Sequence, residues 1–84
     1  MIVLPLSFRL EKYLVKRGLK TKHQKQVKLL SQNLRHPGLH VERLEPKSLG
    51  FYSFRLDRQF RVIFVYLPEE NAIQIVDITD HYQK

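Results

Sequence analysis

The 84-residue sequence has no cysteine, only three glycines, and eight acidic residues against fifteen lysines and arginines. Each shortage narrows the possibilities. Without cysteine there is no disulfide framework, no thiol nucleophile and no thiolate metal ligand. A chain of this size buries only roughly 60–65% of its unfolded surface, and secreted domains this small usually need disulfide staples, so a reducing cytoplasm is expected. Gly18, Gly38 and Gly50 are too scattered for a phosphate-cradling loop. Ser7, Ser31, Ser48 and Ser53 lie in no nucleophile-turn context. No apolar run approaches the ~18 residues of a membrane span, and the apolar stretch of residues 1–6 is too short for a signal peptide. His36 and His40 stand four apart, but Pro37-Gly38 breaks any helix that would align them and no carboxylate cluster is near. Neither a metal nor another cofactor is expected.

What is present is positive charge, unevenly spread. The net charge is +7 with a pI near 10.0. Residues 9–47 hold eleven basic and three acidic residues, and the remainder is close to neutral. Such an excess favours a polyanionic partner. Lys20, Lys22, Lys25 and Lys28, on and just before the second helical stretch, are the candidate residues for such a contact. Any one of them also has the simpler role of solvating a helix face.

The hydrophobic pattern divides the chain by period within one domain, residues 1–84. Leu6, Leu10, Tyr13 and Leu14 mark one face of a first helix, with Ser7 as N-cap and Gly18 as its end. A second helix starts near Thr21, carries a stripe of His23, Val27, Leu30 and Leu34, and stops at His36-Pro37-Gly38. Beyond it the residues become β-branched and aromatic: strands are expected at residues 52–56, 60–67 and 73–79, with weaker candidates at 39–44 and 1–4. The short links 57–59 and 68–71 force antiparallel hairpins. The fold class is therefore α+β, a helical hairpin packed on an antiparallel sheet of three to five strands. Pairing Phe54 with Val62, Tyr52 with Phe64, Val62 with Ile78 and Phe64 with Val76 gathers one apolar face beneath the helices. The other face then divides into a cationic end with Arg55, Arg61, Thr79 and His81, and an apolar end with Ile63, Val65, Leu67, Ile73 and Ile75. A single bulge would reverse this parity.

The side chains left to carry chemistry suit RNA cleavage without a metal. A base must take the 2′-hydroxyl proton, cations must hold the pentavalent phosphate, and an acid must protonate the leaving 5′-oxygen. Glu42, Arg61 and His81-Tyr82 are the candidates. Arginine offers paired donors and permanent charge, and histidine has a reference pKa of about 6.5. Taken alone, each also has a plain structural reading: Glu42 as a partner of Arg43 or Arg61, Arg55 as scaffold, His81 as a chain end.

Residues 49–64, in which a strand ends at Arg55-Leu56-Asp57 and a second arginine, Arg61, leads into apolar residues, resemble the central signature of the RelE/ParE toxin superfamily. Residues 35–44 are similar to that family's break after its second helix, and Asp77-Ile78-Thr79-Asp80-His81-Tyr82 resembles the finish of its YoeB branch. The resemblance implies a microbial-ribonuclease-like fold and the toxin of a type II toxin–antitoxin pair, an endonuclease acting on mRNA in the ribosome. It implies Glu42 as general base, Arg61 as the transition-state clamp, His81 as general acid, Tyr82 as the substrate-positioning aromatic and Arg55 as a supporting phosphate contact. It also implies an acidic antitoxin partner, with Ile63, Val65, Ile73 and Ile75 as the partner patch, and a homodimer or toxin–antitoxin hetero-oligomer. Members that depend on lysines find only Lys47 nearby here, so Lys47 receives no role. The rival functional readings are a ParE-like inhibitor of DNA gyrase and an inactive relative that only binds RNA or antitoxin.

Overall fold

The computed structural model describes residues 1–80. In chain order it comprises β1 (Ile2–Val3), α1 (Phe8–Lys16), α2 (Lys20–Gln32), β2 (Glu42–Arg43), β3 (Phe51–Arg55), β4 (Arg61–Leu67) and β5 (Ala72–Thr79), with single 3-10 turns at Pro37–Leu39, Lys47–Leu49 and Pro68–Glu70. The five strands form one sheet in the order β1-β5-β4-β3-β2. Both helices lie on one face of it, as the change of hydrophobic period anticipates.

The helical hairpin is set by its turn. The Ser7 hydroxyl accepts the Leu10 N–H at 3.3 Å and caps α1. At the other end, the Gly18 N–H donates to Val15 O and the Leu19 N–H to Leu14 O, a Schellman arrangement with Gly18 at φ +67. Leu19, the residue after the glycine, is buried. Because Leu19 is anchored in the core, α2 begins immediately after it, and Thr21 falls inside the first turn instead of capping it. The far end is also earlier than the Pro37 argument requires. Asn33 leaves the helical region at φ −158, and its side-chain oxygen accepts the Arg35 N–H at 3.0 Å.

The sheet is mixed. Each pair among β2 to β5 is antiparallel, whereas β1 runs parallel to β5, with Ile2 opposite Ala72. The expected pairs Tyr52–Phe64, Phe54–Val62 and Val62–Ile78 are all present. The pair Phe64–Val76 is not. A bulge places Asp77 opposite Ile63 but Ile75 opposite Phe64, leaving Val76 as the extra residue. Upstream of it the parity of β5 is inverted. Ile73 and Ile75, expected on the open face, are 0% and 6% exposed and belong to the core. The strand expected at residues 39–44 shrinks to Glu42–Arg43, because a 3-10 turn and a left-handed His40 (φ 46) occupy its start.

The core joins Leu10, Leu14, Leu19 and Leu30 of the helical half to Phe54, Val62, Phe64, Ile73, Ile75 and Ile78 of the sheet. One polar group is caught in it. His23 is 6% exposed, its ring lies 6.3 Å from that of Phe54, and its Nδ1 has no hydrogen-bond partner among the described residues. Burial pushes the His23 imidazole below its ordinary pKa, opposed only by the charge of Glu11. The folded state thus takes up this proton less readily than the unfolded chain, where the group titrates near about 6.5. Stability from this site is complete above that value and is lost as pH falls through it toward the folded pKa, by at most about 1.4 kcal/mol per pH unit. His23→Leu should therefore flatten the fall in thermal midpoint between pH 7 and pH 5. Parallel curves for the two proteins would show that His23 contributes nothing to it.

Candidate functional site

The open face of the sheet holds the candidate residues Glu42, Arg55 and Arg61, and their arrangement follows from register. Glu42 pairs with Ser53 and Ser53 with Ile63, so these side chains share one row. The next row is Arg55–Arg61–Thr79. Two arginines directly opposite each other repel, and that placement costs stability unless an anion lies between or beside them.

Arg61 lies on β4, with β3 and β5 on either side, and is 6% exposed, unusual for a guanidinium unless it is paired. Its Nε–H donates to Ser53 Oγ at 2.9 Å, and Nη2 donates to the backbone carbonyls of His40 and, at 3.3 Å, Ser53. The left-handed turn at His40 is what aims that residue's carbonyl at Arg61, since it follows the Pro37–Leu39 turn and reverses the backbone before β2. The His40 imidazole is on the same rim, with Nε2 3.4 Å from Arg55 Nη1. Gln26 of α2 ties this rim to the helices by donating to Arg55 O at 2.7 Å and to Gly38 O at 3.2 Å.

These groups surround a cleft of about 210 Å³ lined by His40, Glu42, Arg55, Asp57, Arg58, Gln59 and Arg61. Asp57 belongs to its wall as a turn anchor. Its Oδ1 accepts the N–H groups of Gln59 and Phe60, both at 2.9 Å, and its Oδ2 meets Lys22 Nζ at 3.0 Å. Burial acts to raise the Asp57 carboxyl, but the Phe60 and Gln59 N–H groups and the Lys22 ammonium outweigh it and hold it below the usual carboxylate range. Among the described residues, no group of three or more His, Cys, Asp or Glu side chains is placed to hold a metal ion.

Of the residues read from sequence, Glu42, Arg55 and Arg61 come together in this cleft. His81 and Tyr82 lie outside the described residues. Lys20 and Lys22 are in ion pairs with Glu11 (3.7 Å) and Asp57, while Lys25 and Lys28 are exposed on α2. The apolar end of the open face is composed differently from expectation. Ile63 and Val65 are half-buried there as foreseen, but their companions are Leu44, Phe51 and Val76 in place of Ile73 and Ile75. Ser53, Arg58 and His40 were missed as site residues. Ser53 faces the open side because it alternates with Tyr52 and Phe54, and that parity was the available signal.

A family profile described as the RelE-like toxin of the type II toxin–antitoxin system HigB matches residues 11–81. No match was found among curated proteins. Solved structures similar to this chain include the YoeB dimer from Staphylococcus aureus, at 23% identity and a TM-score of 0.71 over 96% of this chain and 94% of that one. The heterotetrameric YoeB–YefM toxin–antitoxin complex from the same organism aligns at 25% identity and a TM-score of 0.68, over 96% and 94% of the two chains. A YoeB/ParE toxin from Agrobacterium tumefaciens aligns at 12% identity and a TM-score of 0.73, over 96% of each chain.

Proposed function

Because the chain belongs to the RelE-like toxins of the type II toxin–antitoxin system HigB, we propose that it is an endoribonuclease that cleaves mRNA held on the ribosome. The observation that carries this reading is Arg61, a buried and doubly anchored guanidinium set opposite Arg55 in a cleft that also holds Glu42. In the proposed reaction Glu42 takes the 2′-hydroxyl proton and the freed oxygen attacks the adjacent phosphorus. Arg61, with Arg55 beside it, stabilises the charge gathering on the phosphate oxygens, and the leaving 5′-oxygen is protonated by an acid. The family resemblance assigns that acid to His81 and a stacking role to Tyr82. Every step is carried by side chains of this protein.

The exposed Lys25 and Lys28 supply a sequence-independent grip on RNA phosphates. Replacing both by alanine should weaken ribosome binding and reduce the slope of log affinity against log salt by roughly 2, about one per lost phosphate contact. An unchanged slope in a salt titration would remove α2 from the interface.

The partner we assign is an acidic antitoxin, complementary to the +7 chain. It would cover the apolar end of the open face at Leu44, Phe51, Ile63, Val65 and Val76. The toxin–antitoxin heterotetramer and the toxin dimer among the similar structures support a partner of this kind and an oligomeric state. The cleft also favours RNA cleavage over gyrase inhibition, which has no chemical need of Glu42 beside two arginines. After induction in cells, incorporation of labelled methionine should stop while plasmid supercoiling is maintained. Loss of supercoiling with continued incorporation would favour the gyrase reading.

A further inference from the structure

Arg61 is more than a point charge: its value in the cleft depends on where its fork points. A free arginine side chain holds about 2 kcal/mol of rotamer entropy, and a misplacement of about 1 Å in a reacting assembly costs on the order of 10²-fold. Here the Nε–Nη2 edge is bound on the scaffold side by one hydroxyl and two carbonyls. Ser53, which supplies the accepting hydroxyl of this cradle, is itself 1% exposed and sits at the centre of β3 between its partners Glu42 and Ile63. Its backbone is thus held by the two neighbouring strands, while burial and the bond from Arg61 Nε–H hold its Oγ.

We propose that the Ser53 hydroxyl, working with the His40 carbonyl, fixes the orientation of the Arg61 guanidinium, which makes Ser53 a positioning residue for phosphate stabilisation. The inference rests on the functional reading above. It differs from a packing role in a definite way. Serine is small, and its methylene fills the same space in alanine, so what Ser53→Ala removes is the acceptor for a buried Nε–H. The guanidinium keeps its charge and its carbonyl contacts but loses the bond that sets its rotation about the side-chain axis.

The test has two arms on the full chain. In single-turnover cleavage of ribosome-bound mRNA, Ser53→Ala should lower the rate about 10- to 100-fold, with the concentration for half-saturation changed less than about twofold because the ribosome is gripped elsewhere. In an Arg61→Ala background the same substitution should cost nothing further, since Ser53 acts only through Arg61. In the second arm, nitrogen-15 NMR of the free protein should show one slowly exchanging arginine Nε–H, absent from Arg61→Lys and rapidly exchanging in Ser53→Ala. Wild-type rates in Ser53→Ala, or an equal loss in the Arg61→Ala background, would overturn the proposal. So would an Arg61 Nε–H that exchanges as fast in the wild type as those of surface arginines. A wild-type protein that cleaves nothing would instead overturn the functional reading, and the exchange measurement would still decide whether Ser53 fixes Arg61.

Discussion

Arg61→Ala is expected to lower cleavage of ribosome-bound mRNA by about 10²–10³-fold, the range for loss of one preorganised transition-state donor, about 2.7–4 kcal/mol. The loss should fall on the chemical step and leave ribosome binding nearly intact, because Arg61 is 6% exposed and has little surface to offer a docking partner. Arg61→Lys should recover little of it. A lysine retains the charge but has no planar fork, and it cannot reproduce the donations to Ser53 Oγ and the His40 carbonyl. A purely structural arginine predicts another outcome, in which activity falls only as far as folding does. Circular dichroism melts of the same variants separate the two, since the catalytic account requires activity loss at temperatures where the variant remains folded.

The largest stability effect is expected at Phe54, which is fully buried where the helices meet the sheet. Its ring lies 6.3 Å from His23 of α2 and 6.0 Å from Phe64 of β4. Phe54→Ala leaves a cavity that neither the strand ladder nor α2 can close, and substitutions of this kind cost about 3–5 kcal/mol. Against a total of about 5–15 kcal/mol for a small domain, that removes much of the margin, at roughly 4–8 °C of melting temperature per kcal/mol for a chain of this length. Phe8, 78% exposed on α1, supplies the control. Phe8→Ala should change stability by less than about 0.5 kcal/mol. Similar melts for the two variants would mean that the core is not organised around Phe54.

How much of this was legible in the sequence depended on whether neighbouring residues or distant ones decide each feature. The helix over residues 8–16 and the β3–β4 hairpin are local: Ser7, Gly18, the link at 57–59 and the alternation of Tyr52, Phe54 and Leu56 determine them almost alone. The bulge in β5 was not read, although a trace of it is present. Gln74 and Asp77 both face the open side and are three residues apart, which an uninterrupted strand cannot achieve. That phase slip is what moved Ile73 and Ile75 into the core and brought Val76 out. That Glu42, Arg55 and Arg61 lie near one another was legible, Arg55 and Arg61 from their shared parity and Glu42 from the family resemblance. Ser53 and His40 were not found: parity puts Ser53 on the open face, but nothing local marks a serine there as the partner of an arginine. The contact between Arg61 and the His40 carbonyl spans twenty-one positions and depends on a left-handed turn at a non-glycine residue, where composition gives no warning.

The central claim is that this protein cuts mRNA on the ribosome with the cleft at Arg61. Its most direct test is to map the 5′-ends of a reporter mRNA by primer extension in a purified translation system, with ribosomes and without them. The account predicts new ends that require ribosomes, appear with wild-type protein, and fade by at least about ten-fold with Glu42→Gln, as loss of a general base implies. No new ends with wild-type protein, or ends that persist undiminished in Glu42→Gln, would contradict it.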